Sequence, residues 1–496
     1  MSRVAIIGSG FSGLSAGCFL AAAGFDVTII EKNETPGGRA RSFAEDGFTF
    51  DMGPSWYWMP DVFEKFFAHF NKKPSDYYDL VRLDPSYRMI FNINDKQDMP
   101  AGIAKIKETF ERLESGSGEH LVRFLEEAKF KYELSFGNLV YLPGLRVTEL
   151  LDAQLIKSLF RVHVFKSISS YIKTFFQDPR LIHLLEFPVL FLGARPESTP
   201  ALYSLMNYAE MALGTWYPIG GINRIVNVIT SLASSLGVKF SFNSCVDKIK
   251  IESGRTIGLS VNGTFCPFDY IIASADYHHV EQDLLQSAQR NYSKSYWNKK
   301  VMAPSSLIFY IGINKKVDGL LHHTLFFDED FDKHAKEIYD HPQWPSAPQF
   351  YVSCPSKTDP GVAPAGCENL MVLIPVAAGL DDTEEIRERY FDMVMTRMEK
   401  LIGQDIRPHV IFKKSYAHHD FIADYNAFKG NAYGMANTLL QTANLRPSIV
   451  NKKVKNLFYT GQLTIPGPGV PPALISGQVV ATQLIKTHVG FVNYAV

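Results

Sequence analysis

The chain has 496 residues, and its 50 Lys and Arg against 51 Asp and Glu give a formal net charge of −1. Apolar residues make up 46% of it, too much for a disordered protein and enough for one or two domains with a large core. A chain this neutral has no overall field that attracts nucleic acid. No apolar run reaches the roughly 18 residues that a membrane-spanning helix needs.

The N-terminus lacks the pattern of a signal peptide, because its apolar stretch, residues 4–7, runs directly into a glycine-rich loop. The five cysteines are an odd number without a CxxC pair, which is typical of reduced thiols. We therefore expect a cytoplasmic protein.

The first thirty-one residues predict a βαβ unit. Residues 3–7 form a β-branched run that predicts a buried parallel strand. Apolar residues later recur at helical spacing as far as Gly24, and residues 26–30 predict a second strand that ends at Glu31. The segment between the first strand and the helix is Gly8-Ser9-Gly10-Phe11-Ser12-Gly13.

This glycine pattern is typical of dinucleotide binding. Gly8 permits the tight turn, Gly10 lets the backbone approach a pyrophosphate, and Gly13 allows the helix to pack closely on the strand. The pyrophosphate is expected at the helix N-terminus. Glu31 stands at the spacing where an acidic side chain accepts hydrogen bonds from the adenosine ribose and repels a 2′-phosphate, which disfavours NADP.

Two short segments follow Glu31-Lys32, namely Gly37-Gly38-Arg39 and Asp51-Met52-Gly53-Pro54-Ser55. Together with the upstream glycines they resemble the FAD-binding signature of the glutathione-reductase-like flavoproteins, which include amine oxidases and carotenoid desaturases. The resemblance implies that the arginine and the glycine backbone close over the pyrophosphate and the flavin. The expected FAD-binding residues in these segments are Lys32, Gly38, Arg39, Gly53, Pro54 and Ser55.

No second glycine fingerprint follows a predicted strand, so we expect one nucleotide site. An enzyme that reduced its flavin with NAD(P)H would normally need a second nucleotide site for that coenzyme. Electrons should then enter from the substrate and leave to oxygen, a quinone or another acceptor, which favours a dehydrogenase or desaturase over a monooxygenase.

Two later segments complete the resemblance. Residues 237–276 predict several strands separated by turns, and they resemble the meander of the FAD domain, in which the residue aligned with Val246 meets adenine through its backbone. A C-terminal strand at 456–460 precedes a proline-rich loop and a predicted helix over 473–487. The resemblance puts the start of this helix against the flavin, with expected contacts from Gly461, Gln462, Gly469, Val470 and Pro471.

The expected fold is α/β, with a glutathione-reductase-like Rossmann domain for FAD and a mixed α+β substrate domain. The FAD-binding domain is expected to combine residues 1–84, 236–299 and 441–496. The substrate domain is expected to combine residues 85–235 and 300–440.

Several segments match the bacterial-type phytoene desaturases, and most closely those of carotenoid-producing bacteria of the flavobacterial kind. They are 47–54, Trp56-Tyr57-Trp58-Met59-Pro60, 214–221, His322-His323-Thr324, 427–436 and 466–472. The resemblance implies an FAD-dependent oxidoreductase that introduces conjugated double bonds into a forty-carbon carotene, from phytoene towards neurosporene or lycopene. Ile219 departs from the pattern, since relatives often carry a basic residue there.

Composition agrees with such a substrate, because a hydrocarbon must be held by buried apolar area and aromatics make up 13% of the chain. Residues 187–192, 202–211 and 307–311 are candidates for a channel or for ordinary core. The alternatives are a desaturase or isomerase of a later carotenoid intermediate, a flavin amine oxidase, or a non-enzymatic prenyl-binding escort protein.

Removal of hydride from an allylic carbon also requires loss of a proton from its neighbour. Glu149 aligns roughly with an acidic residue proposed for related desaturases, and it is the candidate catalytic base. An exposed helical glutamate is the alternative, and water or reduced flavin are other proton acceptors.

Residues 153–177 contain four basic residues and no acidic ones. An apolar face at helical spacing predicts a basic helix that contacts the membrane surface, and it consists of Phe160, Val164, Ile168, Tyr171, Ile172 and Phe175. The alternative is a helix packed on the substrate domain. The expected location is the cytoplasm, with peripheral association with the cytoplasmic membrane.

Three histidine pairs, at 278–279, 322–323 and 418–419, suggest metal binding at first sight. Adjacent side chains diverge on a helix or strand, and no carboxylate accompanies them at ligand spacing. We therefore expect no metal.

Overall fold

A computed structural model describes residues 1–146, 149, 162–163, 165–190 and 193–494. Its strands are β1 (Arg3–Ile7), β2 (Asp26–Ile30), β3 (Ser42–Glu45), β4 (Phe48–Asp51), β5 (Leu80–Arg82), β6 (Tyr87–Asn92), β7 (Asp95–Met99), β8 (Trp216–Pro218), β9 (Lys239–Ser241), β10 (Val246–Glu252), β11 (Arg255–Val261), β12 (Thr264–Pro267), β13 (Tyr270–Ala273), β14 (Ser305–Ile313), β15 (His323–Phe326), β16 (Phe350–Ser353), β17 (Glu368–Val376), β18 (Val410–Tyr416) and β19 (Leu457–Tyr459).

The α-helices are α1 (Phe11–Ala22), α2 (Pro60–Ala68), α3 (Ile103–Leu113), α4 (Ser117–Gly137), α5 (Ile168–Ile172), α6 (Pro179–Leu190), α7 (Leu205–Met211), α8 (Ile222–Ser235), α9 (Tyr277–Asp283), α10 (Lys294–Asn298), α11 (Phe331–Tyr339), α12 (Glu384–Ile402), α13 (His418–Tyr425) and α14 (Val470–Tyr494). Within the described ranges, none of them is both long and apolar enough to cross a bilayer.

A five-stranded parallel sheet forms the Rossmann part of the fold, with the strand order β19-β13-β1-β2-β9. Val4, Ile6 and Ile29 are completely buried, because α1, α8 and α14 cover their face of the sheet. On the other face, Ala5 and Ile7 pack in one core with side chains of β10 and β11. The carboxyl ends of β1, β2 and β13 meet at one edge, where the glycine turn and Glu31 lie. The α/β fold class that the sequence predicts is confirmed.

The strands β10, β11 and β12 form an antiparallel three-stranded sheet beside the parallel one. Tight turns with positive φ at Ser253-Gly254 and Asn262-Gly263 connect them.

The helix α8 lies on the parallel sheet, whereas the sequence analysis assigned its residues to the substrate domain. Its side chains of Ile222, Ile225 and Ile229 are buried in the same core as Val4 and Ile6. Periodicity predicts which face of a helix is apolar, and it does not say which sheet that face covers.

A seven-stranded mixed sheet, in the order β18-β14-β17-β16-β15-β6-β7, forms the second part of the molecule. The strand β14, next to the edge strand β18, is buried along its whole length. One face packs against α12 through side chains such as Phe309 and Met395. The other face shares a large aromatic-rich core with helices α3 to α7.

The proposed membrane helix at 153–177 falls only partly on described residues; 153–161 and 164 lie outside them. In the described part, α5 buries Ile168, Tyr171 and Ile172 in the large core, together with Leu184 of α6. These three side chains are therefore covered by protein, and the prediction that they face a bilayer is wrong. The alternative, a helix packed on the substrate domain, holds for them.

The same core contains an acidic side chain. Glu210 on α7 is 2% exposed, and burial raises its pKa to about 8. The nearby hydroxyl of Tyr87 lowers that pKa only in part. A carboxyl whose pKa is higher in the folded state makes the fold less stable as pH rises between the unfolded and folded pKa values.

We predict that Glu210→Gln becomes more stable than the wild type as pH rises from 5 to 8, by an amount on the order of 3 kcal/mol. The amide keeps the shape of the side chain and does not ionise. Chemical denaturation at several pH values measures the difference. A stability difference that does not change with pH would contradict the assignment.

Candidate active site

A cavity of about 740 Å³ lies where the parallel sheet meets the larger mixed sheet. One end is formed by the carboxyl ends of parallel strands, and the other by apolar side chains of the second core. The predicted FAD-binding residues that line it are Gly8, Ser9, Gly10, Phe11, Ser12, Glu31, Lys32, Gly38, Arg39, Gly53, Pro54, Ser55, Val246, Gly461, Gln462, Gly469, Val470 and Pro471.

Gly13 lies behind the cavity wall, where it sets the distance between α1 and β1. A methyl group at this position would lie 2.2 Å from the backbone oxygen of Gly8. Gly8 itself has a φ of 98°, a conformation that favours glycine. At Gly10 a methyl group would meet nothing within 4 Å, so the backbone there is open to a ligand.

Glu31 is buried at the end of β2 and is held by the glycine turn. One carboxylate oxygen accepts hydrogen bonds from the backbone nitrogen of Ser9 at 2.9 Å and from its hydroxyl at 2.7 Å. The other oxygen accepts from the backbone nitrogen of Asn33 at 2.9 Å. The carboxylate therefore has a fixed orientation at the cavity wall.

Arg39, which is half-buried, supplies a positive charge to the same end of the cavity. Its Nη2 donates to the backbone oxygen of Asn431 at 3.1 Å, and its guanidinium lies 5.1 Å from the ring centre of Tyr425. Its Nε is buried and has no hydrogen-bond partner among the described residues. Burial lowers the pKa of Arg39, and the charge of Asp276 offsets part of that effect.

A donor of this kind fits an anionic group such as a pyrophosphate, because a charged hydrogen bond satisfies both partners. The open backbone at Gly10 and the start of α1 lie at the same end. The residues present therefore fit FAD.

The N-terminus of α14 forms another part of the wall. Gly469 has a φ of 114°, Val470 and Pro471 begin the helix, and Ala473 donates its backbone hydrogen to the oxygen of Gly469. Proline at a helix start removes a donor that would have no partner. The positive end of the helix dipole then faces the cavity.

Several polar residues at this end of the cavity are not among those predicted from the sequence. Ser274 and Asp276 follow β13 and line the cavity, as strand ends in parallel sheets commonly do. Their position after a predicted strand was a usable signal. Asp424 contacts Arg41, and Tyr425 contacts Arg39. Both belong to α13, and no sequence motif indicates their role.

The other end of the cavity is apolar. The carboxylates among the described residues that line the cavity are Glu31, Asp276 and Asp424, and all three lie at the opposite end, formed by the parallel sheet and α13. The apolar lining includes Trp56, Trp58, Met59, Phe136, Leu139, Val140, Phe187, Leu205, Met206, Ile308, Leu325 and Leu373. Phe187, Leu205, Met206 and Ile308 come from the segments predicted as channel or core. The others come from residues 56–59 and 136–140 and from the strands β15 and β17.

Glu149, the candidate base, is not among the described residues that line the cavity. Its carboxylate accepts hydrogen bonds from the backbone nitrogens of Gly144, Leu145 and Arg146 at 2.9, 3.1 and 3.0 Å. The structure gives it the role of holding a loop, and its catalytic role stays a prediction.

Among the described residues, Asp381, Asp382 and His419 form a group whose spacing suits a metal ion. Asp382 is buried and already pairs with Arg387 and with the Nδ1 of His419. This group lies outside the cavity lining.

Comparison with known proteins agrees with this geometry. Residues 11–485 match the family of flavin containing amine oxidoreductases. A carotenoid 3,4-desaturase of Haloarcula japonica is 40% identical over 97% of this chain and 98% of its own. A zeta-carotene-forming phytoene desaturase of Myxococcus xanthus is 30% identical over 97% and 94%. A solved oxidoreductase from Methanosarcina mazei shares the fold, with a TM-score of 0.64 at 16% identity over 97% of this chain and 100% of that one.

The fold and the site define a flavin-dependent oxidoreductase. The chain belongs to the flavin containing amine oxidoreductase family, and within it to the carotenoid desaturases. Its cofactor is FAD, as the sequence predicts, and FAD supplies the two-electron acceptor.

We predict that Arg39→Met weakens FAD binding roughly 10- to 100-fold, the effect of losing a hydrogen bond to a charged group. Arg41→Met is the matched control, because Arg41 contacts the same Tyr425 ring and does not line the cavity. Titration of the apoprotein with FAD, followed by flavin fluorescence, measures both. Equal losses of FAD affinity in the two variants would contradict this assignment. They would show that contact with the Tyr425 ring, and not the buried Nε of Arg39, determines FAD binding.

Proposed function

We propose that this protein introduces a 3,4 double bond into a carotenoid, the reaction for which its relative, the carotenoid 3,4-desaturase, is named. We take an acyclic carotene as the substrate class. The observation that carries this is the identity of 40% to that relative, against 30% to the zeta-carotene-forming phytoene desaturase, over similar lengths. A later step is therefore favoured over the phytoene desaturation that the sequence analysis put first. Phytoene desaturation is the second candidate, supported by the relative at 30%.

The lining of the cavity supports the proposal of a hydrocarbon substrate. A carotene has no groups to hydrogen-bond, so its affinity comes from buried apolar area, at about 25 cal/mol per Å². The aromatic rings of Trp56, Trp58 and Phe187 lie within 5.3 to 6.3 Å of one another at the apolar end. An amine substrate would need polar or charged partners there, and the described carboxylates are at the opposite end.

The residues of the chain position the reaction rather than perform covalent chemistry. Arg39 and the starts of α1 and α14 hold the cofactor at one end, and the apolar wall holds the substrate beside it. The substrate loses a hydride from one carbon and a proton from its neighbour, and the electron pair of the second C–H bond forms the double bond. We propose oxygen or a quinone as the final electron acceptor.

We predict that the FAD-loaded protein converts lycopene into a product that absorbs at longer wavelength, because each added double bond extends the conjugation. Phytoene should stay colourless. Chromatography with mass detection of the loss of two hydrogens measures both reactions, with Arg39→Met as a control of low flavin content.

Faster conversion of phytoene than of lycopene would support the second candidate instead. A change of isomer without loss of hydrogen would indicate an isomerase. Oxidation of putrescine with no carotene turnover would indicate an amine oxidase.

We propose that the protein works at the cytoplasmic membrane surface, where such a substrate dissolves. Thr442, Ala443 and Asn444 line the cavity, and the leucines on either side of them point into solvent. Leu440 is 75% exposed and Leu445 is 55% exposed. The amide of Asn444 donates to the backbone oxygen of Arg146, which brings an exposed basic residue beside them. Apolar side chains with a nearby cation suit the headgroup layer of an anionic bilayer.

We predict that Leu440→Ser together with Leu445→Ser lowers flotation with anionic liposomes at least threefold and leaves FAD binding unchanged. Ile411→Ser is the matched control, because Ile411 is 51% exposed on β18 and does not line the cavity. Unchanged flotation of the double variant would contradict this contact surface.

A further inference from the structure

A chain of three polar side chains crosses the wall of the cavity. The hydroxyl of Ser55 lies 2.9 Å from the hydroxyl of Tyr351, which lies 2.6 Å from Nδ1 of His323. Ser55 and Tyr351 line the cavity, and His323 is completely buried behind them. The chain therefore leads from the cavity into the protein.

Packing holds this chain in place. The ring of Trp56 stacks on the ring of His323, with centroids 3.9 Å apart and planes 14° from parallel. His323 and Tyr351 belong to the paired strands β15 and β16, so the sheet fixes their separation. The Nε2 of His323 is buried and has no hydrogen-bond partner among the described residues. A buried polar group without a partner is costly, which calls for a role beyond stability.

We propose that Ser55, Tyr351 and His323 form a relay that removes the proton lost in each desaturation. This inference rests on the proposed function. Bound FAD would serve as the two-electron oxidant that takes the hydride of one substrate carbon. The neighbouring carbon gives its proton to the Ser55 oxygen. The Ser55 proton moves to the Tyr351 oxygen, and the Tyr351 proton moves to Nδ1 of His323. The electrons of the broken C–H bond become the new double bond.

His323 is neutral before the reaction, because burial lowers its pKa well below the ordinary value and the neighbouring His322 lowers it further. A proton on this ring is therefore disfavoured and has to pass on from it. In the tautomer protonated at Nε2, its Nδ1 has a lone pair for the Tyr351 hydroxyl. Glu149, by contrast, has its carboxylate occupied by three backbone donors.

The far side of the relay has a polar surrounding. The ring of His322 lies 4.5 Å from that of His323, and its Nδ1 bonds the Thr358 hydroxyl at 2.7 Å. His322 and Ser55 both line a second cavity of about 20 Å³, which is large enough for one water. Asp51 also lines it, and its two carboxylate oxygens accept hydrogen bonds from the backbone nitrogens of Ile222 and Asn223. His322 is therefore the group that connects the far end of the relay with this small cavity.

The test is Tyr351→Phe, which removes the central hydroxyl and keeps the ring. Tyr87→Phe is the matched control, because Tyr87 is also buried, its ring lies 5.8 Å from that of Trp56, and it does not line the cavity. Reduction of bound FAD by lycopene, or by phytoene, is followed anaerobically in a stopped-flow instrument. Melting temperature and FAD content show that each variant is folded and loaded.

A relay predicts that Tyr351→Phe lowers the limiting rate of flavin reduction roughly 100-fold, with half-saturating carotene and FAD affinity changed less than twofold. Tyr87→Phe should stay within threefold of the wild type. A limiting rate within threefold for Tyr351→Phe, or a loss confined to carotene or FAD binding, would overturn the relay. If carotenes fail to reduce the wild-type flavin at all, the proposed function is wrong, and that result is distinct from failure of the relay.

Discussion

The close approach of three backbone segments is the constraint on which the rest of the site depends. Gly13 brings α1 against the turn at Gly8, and a methyl group at Gly477 of α14 would lie 2.3 Å from the backbone oxygen of Ser12. Because α1 is held between β1 and α14 in this way, the starts of both helices face one end of the cavity. Their unpaired backbone N–H groups and dipoles favour negative charge at the same place. A cofactor with a pyrophosphate is what such an arrangement suits.

The seven-stranded sheet makes the other half of the site largely apolar. Its strands and helices α4, α6 and α7 turn aromatic and aliphatic side chains towards the cavity, so much of the space beside the cofactor site is apolar. Hydride transfer benefits from such an environment, because water is kept from the reacting carbons. Polar groups in such a wall are candidates for handling the proton that the substrate loses. Ser55 and Tyr351 are hydroxyls in the wall, connected to a neutral buried histidine.

Much of the dinucleotide half could be predicted from sequence, because Gly8, Gly10, Gly13 and Glu31 obey local rules of turn geometry and spacing. The predicted helix over 473–487 appears as the longer Val470–Tyr494. Tertiary contacts could not be predicted in this way. Apolar periodicity in 165–177 and in 222–235 is the same whether a helix meets lipid, the parallel sheet or the second core. Asp424 and Tyr425 reach Arg41 and Arg39 across nearly 400 residues of sequence, and no local pattern encodes that meeting.

The central proposal is that one cavity holds FAD and an acyclic carotene side by side, so that hydrogen passes directly between them. An anaerobic titration of the FAD-loaded protein with lycopene tests it most directly, by comparing bleached flavin with new double bonds. We predict one double bond for each flavin reduced, and no further product until oxygen or a quinone is added. Double bonds formed without flavin bleaching, or bleaching by putrescine and not by any acyclic carotene, would contradict the account.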